Sequence, residues 1–550
     1  MSDPASFDLL RKRLSAAAAV VRGKTDALNT QRLAIFGRVE PKLLARLSAR
    51  TENNCVARDV VRVGNLLLFG YQVFIGLKRE TTINDVFCLY RLTDHTESAE
   101  LESVAIETSF LSDSRFAADF KELITYYKAT TLEQLRVVND KLLMLFRTGS
   151  QSGDRKVFRF AIDPKGAVQY IDNRGERDHV LPPPYDFEWT NVTREMHVLG
   201  RHPHANILDT VFVETVGGDL TVKIENNTES GLGIFAEPVE DKTQSLADAE
   251  ISYADLRHQL LIRVKPYREA SSRYLIFNKR LKTVLRCDEI GVSCVQLPED
   301  HGIVFPGGYA LESGETKRFS ELGLNFDGFR LKRVIRAPNG EDVLYVFYEE
   351  ISGRYGLLPY NLIDRAIGQP LMAHGYARYL DGSILLFVPE TGEASRLHAM
   401  QLWRTPFSDI EHQSSSKAVP GLLGRLGNAS LVRALAELRQ LTQLAEDARV
   451  IGQFERLFKL GQKCAEGYLW LAEVDAGALL PDVQGLARTA KSALEAFEQL
   501  EQAKLKAASA VKLQATAVRE LISIVAAKLW QKPEDFTDAI VKFKDRKSVV

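Results

Sequence analysis

Two β-rich runs closed by a glycine pair, at residues 208–228, set the terms for the fold. The first reads Leu208-Asp-Thr-Val-Phe-Val-Glu-Thr-Val216, the turn is Gly217-Gly218-Asp219, and the second reads Leu220-Thr-Val-Lys-Ile-Glu225. Asn226-Asn227-Thr228 follow as a second polar turn. Val211, Val213, Leu220, Val222 and Ile224 alternate largely with Thr, Glu and Lys, the period-two pattern of strands with one apolar and one more polar face. Gly217 and Gly218 supply the positive φ of a tight hairpin.

The same strand–turn–strand pattern recurs at 60–92, 141–171, 260–286, 293–311, 329–360 and 375–403, with a short helical insert expected at 116–128. In the first of these stretches 66–70 and 73–76 are the expected strands. Small sheets of two to four strands must stack on one another to bury both faces. Seven such units predict a mainly β protein with helical flanks, a β-propeller-like repeat of about seven small antiparallel sheets over 51–410. A pair of β-sandwiches is the competing architecture.

The flanks read differently. Residues 1–50 are expected to form an N-terminal helical arm, broken near Gly37 and Pro41, with apolar groups at Leu9, Leu10 and Leu14, at Leu28, Leu33, Ile35 and Phe36, and at Leu43, Leu44 and Leu47. A serine-rich linker at 411–421 precedes an Ala/Leu/Glu/Gln-rich region, 422–544. There Leu431, Leu435, Leu438, Leu441 and Leu444 form one stripe, and Leu486, Ala490, Leu494 and Phe497 another. Antiparallel helices or a coiled coil are predicted. Residues 545–550, Asp-Arg-Lys-Ser-Val-Val, match one reading frame of a sequencing adapter and are set aside from the fold, with the native gene expected to continue past Lys544.

A chain of 550 residues exceeds one ordinary core, and a formal net charge of -1 gives no bulk attraction to nucleic acid or anionic lipid. No apolar run nears the roughly 20 residues that span a bilayer. The cysteines at 55, 88, 287, 294 and 464 are scattered, which fits a reduced cytoplasmic setting and neither a zinc site nor a disulfide framework.

Four stretches carry candidate chemistry. Gly23-Lys24-Thr25 resembles the end of a P-loop, but Ala18 stands where its first glycine belongs and the local pattern is helical. His197, His202 and His204, with Asp209 just beyond, are candidate metal or ligand contacts, against the plainer reading of a polar loop bonded to backbone. Carboxylates crowd 225–250 without calcium-loop spacing, as expected of a solvated acidic loop. Arg263, Lys265, Arg268, Arg273, Lys279, Arg280, Lys282 and Arg286, interleaved with Tyr267 and Tyr274, are candidate nucleic-acid contacts, or else the wet face of a hairpin facing the acidic segment before it. No nucleophile elbow and no clear nucleophile–base pairing appears, so no catalytic residue is assigned.

Several motifs occur together in order: Thr51-Glu-Asn-Asn-Cys55, the 64–74 run with its Leu-Phe-Gly-Tyr, Phe187-Glu-Trp189, Arg201-His-Pro-His204, Val213-Glu-Thr-Val-Gly-Gly-Asp-Leu-Thr221, Glu237-Pro-Val-Glu-Asp241 and Pro338-Asn-Gly-Glu-Asp342. In these the chain resembles, over residues 7–530, the N-terminal domain of unknown function of a large bacterial AAA-type ATPase family described as involved in DNA repair. The resemblance implies a non-catalytic recognition or scaffold region preceding a helical section and a motor. No cofactor is expected here, ATP and Mg belonging to a missing C-terminal ATPase domain. DNA or a protein would be the partner, with no membrane, and oligomers would form through the helices or the motor. The rivals are a stand-alone hydrolase with its site among the propeller units and a direct DNA-binding module.

Overall fold

The computed structural model describes residues 4–73, 81–127, 129–151, 153–388, 393–409, 421–448 and 451–527, with 537, 540 and 541. These divide into two compact units. One is the β unit, residues 35–433; the other gathers residues up to 34 with those from 434 on.

The protein is mainly β, propeller-like and flanked by helices. All seven expected stretches form antiparallel strands. They fall into six sheets among the described residues, because the first and seventh share one. The 22-residue strand Lys42–Val63 makes this join. Its residues 42–50 pair with Ser395–Arg404 of the seventh unit, and its residues 55–63 pair with Leu66–Val73 of the first. The last strand of the β region is thus clipped to its first, and the apolar side chains of both units close over the join: Leu385, Phe387 and Leu402 pack with Leu67, Phe69 and Tyr71.

The other units also stack. Leu142, Met144 and Phe146 of Lys141–Arg147 face Leu68 and Phe87 of the first unit, while Leu143 and Leu145 of the same strand join Val157 on the opposite side. A strand covered on both faces must be apolar throughout, which is why Leu-Leu-Met-Leu-Phe does not alternate. The opening hairpin, Val211–Glu214 with Asp219–Lys223, pairs Val213 with Val222 and packs on Leu260 and Phe277 of the fourth unit. Its second face is buried too, so the Glu214 and Lys223 found there form an ion pair with both side chains almost fully enclosed. The helical insert is Ser114–Tyr126, capped by the Asp113 carboxylate on the Arg115 and Phe116 amides.

The N-terminal arm needs correcting. Helix spans Pro4–Phe36 only, and Leu43, Leu44 and Leu47 belong to the first β strand. Leu14, Ala18, Val21, Thr25, Leu28 and Arg32 are buried, a 4-3-4-3-4 spacing that makes one stripe of this helix. The arm is part of the helical unit: Lys24 Nζ lies 2.5 Å from Asp482 Oδ2. Further helices there are Ile451–Gly467 and the 48-residue Leu480–Ala527, whose residues 502–520 bury no side chain. The stripes expected at Leu435, Leu438, Leu441 and at Leu486, Ala490 are buried. Residues 74–76 of the expected 73–76 strand, nearly all of the 411–421 linker and the 545–550 tail lie outside the described residues.

The join between first and seventh units sets a stability prediction. Leu402→Ala, at a fully buried site, lowers the unfolding free energy by about 2–5 kcal/mol in urea titrations. Leu397→Ala, 63% exposed on the same strand, changes it by less than about 0.5 kcal/mol. Equal effects contradict the join as a load on the core.

Candidate functional site

Three of the register shifts in the sheets fall at a charged residue. Against Leu66–Val73, the register of Lys42–Val63 skips Arg58, since Ala57 faces Tyr71 and Asp59 faces Gly70. In the second unit Thr131–Val138 skips Glu133, between Leu132 and Gln134. In the sixth Arg330–Arg336 skips Lys332, between Leu331 and Arg333. A β-bulge of one extra residue turns side chains out of the ladder's alternation and re-aims them.

Residues at and beside these bulges meet. Asp59 Oδ2 accepts from the Leu135 amide and from the Tyr355 hydroxyl, both at 2.9 Å, and Oδ1 accepts from the Val60 amide at 2.9 Å. Tyr355 Oη in turn accepts from Lys332 Nζ at 2.5 Å and from Gln134 Nε2 at 3.1 Å. The Lys332 ammonium lies 4.2 Å from the centre of the Tyr355 ring, a cation–π contact. Arg58 donates to the carbonyls of Leu132 and Ile351, tying the first unit to the second and sixth. The seventh unit approaches through Gly375, where a Cβ would fall 2.4 Å from the Val60 nitrogen. Burial pushes the Asp59 carboxyl up, against the opposing pull of the Lys332 charge; burial pushes the Lys332 ammonium down, against Asp59.

A cavity of about 260 Å³ adjoins this cluster, lined by first-, second-, sixth- and seventh-unit strands. Five cations line it, Arg62, Arg136, Lys332, Arg333 and Arg378, and among the described residues Asp59 is the sole carboxylate in the lining. None of these positions stood out in the sequence. The available signal was Arg330-Leu-Lys-Arg-Val-Ile-Arg336, four cations in a seven-residue strand.

The stretches singled out from sequence lie elsewhere. His202 Nδ1 is 2.9 Å from Glu214 Oε1, His204 Nε2 is 2.9 Å from Asn226 Oδ1, and Asp209 Oδ1 accepts from Asn206 at 2.6 Å. His197 is only part-buried, and burial lowers its pKa. Each of the four has its own setting, and among the described residues no three His, Cys, Asp or Glu come together to hold a metal ion. In the basic stretch Arg268 pairs with Asp241, Arg273 with Glu269 and Glu237, Lys279 with Asp255, and Arg286 with Glu237 and Asp288. Arg263 donates to Ser252 and lies over Trp189, Lys282 lies over Phe277, the Arg280 amide donates to Asn278, and Lys265 ends its strand. Arg268, Arg273 and Arg286 are thus answered by the acidic segment before this stretch, through Asp241 and Glu237, and Lys279 by Asp255.

Gly23-Lys24-Thr25 sits inside the helix Pro4–Phe36, with Thr25 Oγ1 donating to the Val21 carbonyl at 2.7 Å. Cys55 Sγ lies 3.3 Å from His398 Nε2, an arrangement reminiscent of a nucleophile and base. Burial raises the thiol and lowers the imidazole to about 4. At neutral pH both are uncharged, so no thiolate forms.

A mainly β, propeller-like region with a cationic cavity where four units meet is the class this architecture defines. The chain belongs to the family described as "ATPase involved in DNA repair", which matches residues 21–469. No curated protein matches. Among solved structures, the Dos1 propeller aligns at 9% identity over 66% of this chain and 95% of its own, with a TM-score of 0.20. A GH43_1 enzyme from Xanthomonas citri aligns at 9% identity over 65% and 89%, with a TM-score of 0.21. Scores this low carry no argument, and the fold stands on its own strand pairing. Among the described residues no helix is long and apolar enough to cross a membrane.

Two outcomes follow from the buried groups. Tyr355→Phe removes the hydroxyl shared by Asp59, Lys332 and Gln134 and costs about 1–3 kcal/mol in denaturant titrations; a neutral effect contradicts the bridge. His179, His374 and His398 are held to about 4 and His301 to about 2, chiefly by burial, against 6.5 for an ordinary imidazole. The unfolded chain therefore binds more protons between pH 6.5 and 4, and the stability present above 6.5 is lost as pH falls through that window, each group contributing at most about 1.4 kcal/mol per pH unit. The urea midpoint falls from pH 7 to pH 5; an unchanged midpoint contradicts buried neutral imidazoles.

Proposed function

We propose that this chain is the recognition and scaffold region of a DNA-repair ATPase and does not itself turn over nucleotide. One observation carries the reading: the only stretch resembling a P-loop ending, Gly23-Lys24-Thr25, lies within a helix, where the Lys24 ammonium is paired with Asp482 and the Thr25 hydroxyl with backbone. A P-loop cradles phosphate through backbone amides of a strand–loop–helix turn, and a helix interior has spent those amides on its own carbonyls. Nucleotide and Mg would then be held by a following ATPase domain. DNA or a protein is the partner, a cytoplasmic setting goes with it, and the helical unit is where copies would associate.

The convergence of Asp59, Lys332 and Tyr355 is what a hydrolase reading would draw on. The Asp59 carboxylate is taken up by backbone amides and the Tyr355 hydroxyl, and Tyr355 Oη already carries two donors and one acceptor, while Lys332 spends one donor on Tyr355. That arrangement favours holding strands in place over proton transfer to a substrate.

Purified protein incubated with Mg-ATP is expected to release phosphate at the rate of buffer alone. Sustained turnover that co-purifies with the protein contradicts the proposal.

A further inference from the structure

We propose that the cavity shared by the first, second, sixth and seventh units binds a phosphate-class anion, with Arg136, Lys332 and Arg333 as its cationic contacts. The inference deepens the recognition role proposed above and rests on it.

Charge is the first argument. Of the five cations lining the cavity, Arg378 pairs with Asp409 and the Phe407 carbonyl, while Arg62 donates to the Gly64 carbonyl and lies over Tyr379, neutral partners that leave its charge in place. With Arg378 offset by Asp409 and one further cation by Asp59, the lining keeps a formal excess of three positive charges among the described residues. A phosphate monoester carries about −1.5 to −2 at neutral pH, a closer match than a carboxylate. Arg136, Lys332 and Arg333 also weigh on each other. Arg136 and Arg333 both push the Lys332 ammonium down, and Arg333 pushes Arg136 down. A bound dianion relieves that repulsion.

Donor geometry is the second argument. Arg136 spends Nη1 on His179 Nδ1 and the Val180 carbonyl. Arg333 is exposed at the cavity edge. Guanidinium forks suit the paired oxygens of phosphate, and an ammonium adds a point charge. The bulge at Lys332 places the ammonium and the neighbouring Arg333 in the same lining. Size is the third. At about 260 Å³ the space falls below the roughly 300–1,000 Å³ of drug-sized ligand pockets, so it fits a small anion or the terminal phosphate of a larger molecule.

The test is calorimetric titration of the full chain, at fixed ionic strength, with inorganic pyrophosphate and with one short oligonucleotide carrying either a 5′-phosphate or a 5′-hydroxyl. Arg333→Gln, at an exposed position, is the main variant. Lys332→Met is the second, and Arg268→Gln, ion-paired elsewhere, is the control; thermal melts establish that each is folded. Expected is saturable binding of pyrophosphate, of the 5′-phosphorylated strand, or of both, weakened about tenfold or more by Arg333→Gln and unchanged by Arg268→Gln. Binding confined to pyrophosphate assigns a free small anion, and binding confined to the phosphorylated strand assigns a nucleic-acid end. The proposal is overturned if neither binds, if the 5′-hydroxyl strand binds as well as the phosphorylated one, or if Arg333→Gln leaves the affinity unchanged. Those failures leave the non-catalytic reading standing, whereas ATP turnover removes that reading without touching the anion titration.

Discussion

The Tyr355 hydroxyl has three side-chain partners drawn from three units of the β region. It receives hydrogens from Lys332 and Gln134 and gives its own to Asp59, so one oxygen ties the sixth unit to the first and second. Burying a carboxylate and an ammonium is expensive unless each is paired and its remaining valences are met. Here Asp59 also takes the Val60 and Leu135 amides. Removing any member leaves a buried group without its partner. Glu133 shows the same economy, with its carboxylate on Arg155 and its carbonyl taking the Tyr348 hydroxyl.

Most of the architecture was legible because it depends on local pattern. Glycine turns and short apolar runs mark strands wherever they occur, and all seven stretches are strands. The pairing of 42–50 with the last strand was not legible. Leu43, Leu44 and Leu47 have a three-and-four spacing that suits a helix equally well, and only a partner more than 350 residues away in sequence, such as Arg404 opposite Lys42, decides for a strand. The same long-range choice explains why seven units make six sheets. The burial of the helical arm was half legible. Its stripe runs through Thr25 and Arg32, polar residues that an apolar count passes over.

The site was less legible than the fold for a physical reason. Sequence reasoning looks for chemistry-bearing residues close together along the chain, and so it found the histidines at 197–204 and the cations at 263–286. Neighbours in a strand and its hairpin answer one another, as Glu269 answers Arg273 and Asp288 answers Arg286. Unanswered charge collects instead where separate units meet, at Arg136 and Arg333, nearly 200 residues apart. Bulges that aim Asp59 and Lys332 inward leave no mark on residue type, since they are faults of register and register is set by the partner strand.

The central claim is that this polar junction couples three units, and hydrogen–deuterium exchange of Tyr355→Phe tests it most directly. The account predicts that amide protection falls together in Lys42–Val63, Thr131–Val138 and Arg330–Arg336, the strands bulged at Arg58, Glu133 and Lys332, while the hairpin at Val211–Glu214 and Asp219–Lys223 exchanges as before. Loss of protection confined to the sixth unit would contradict it.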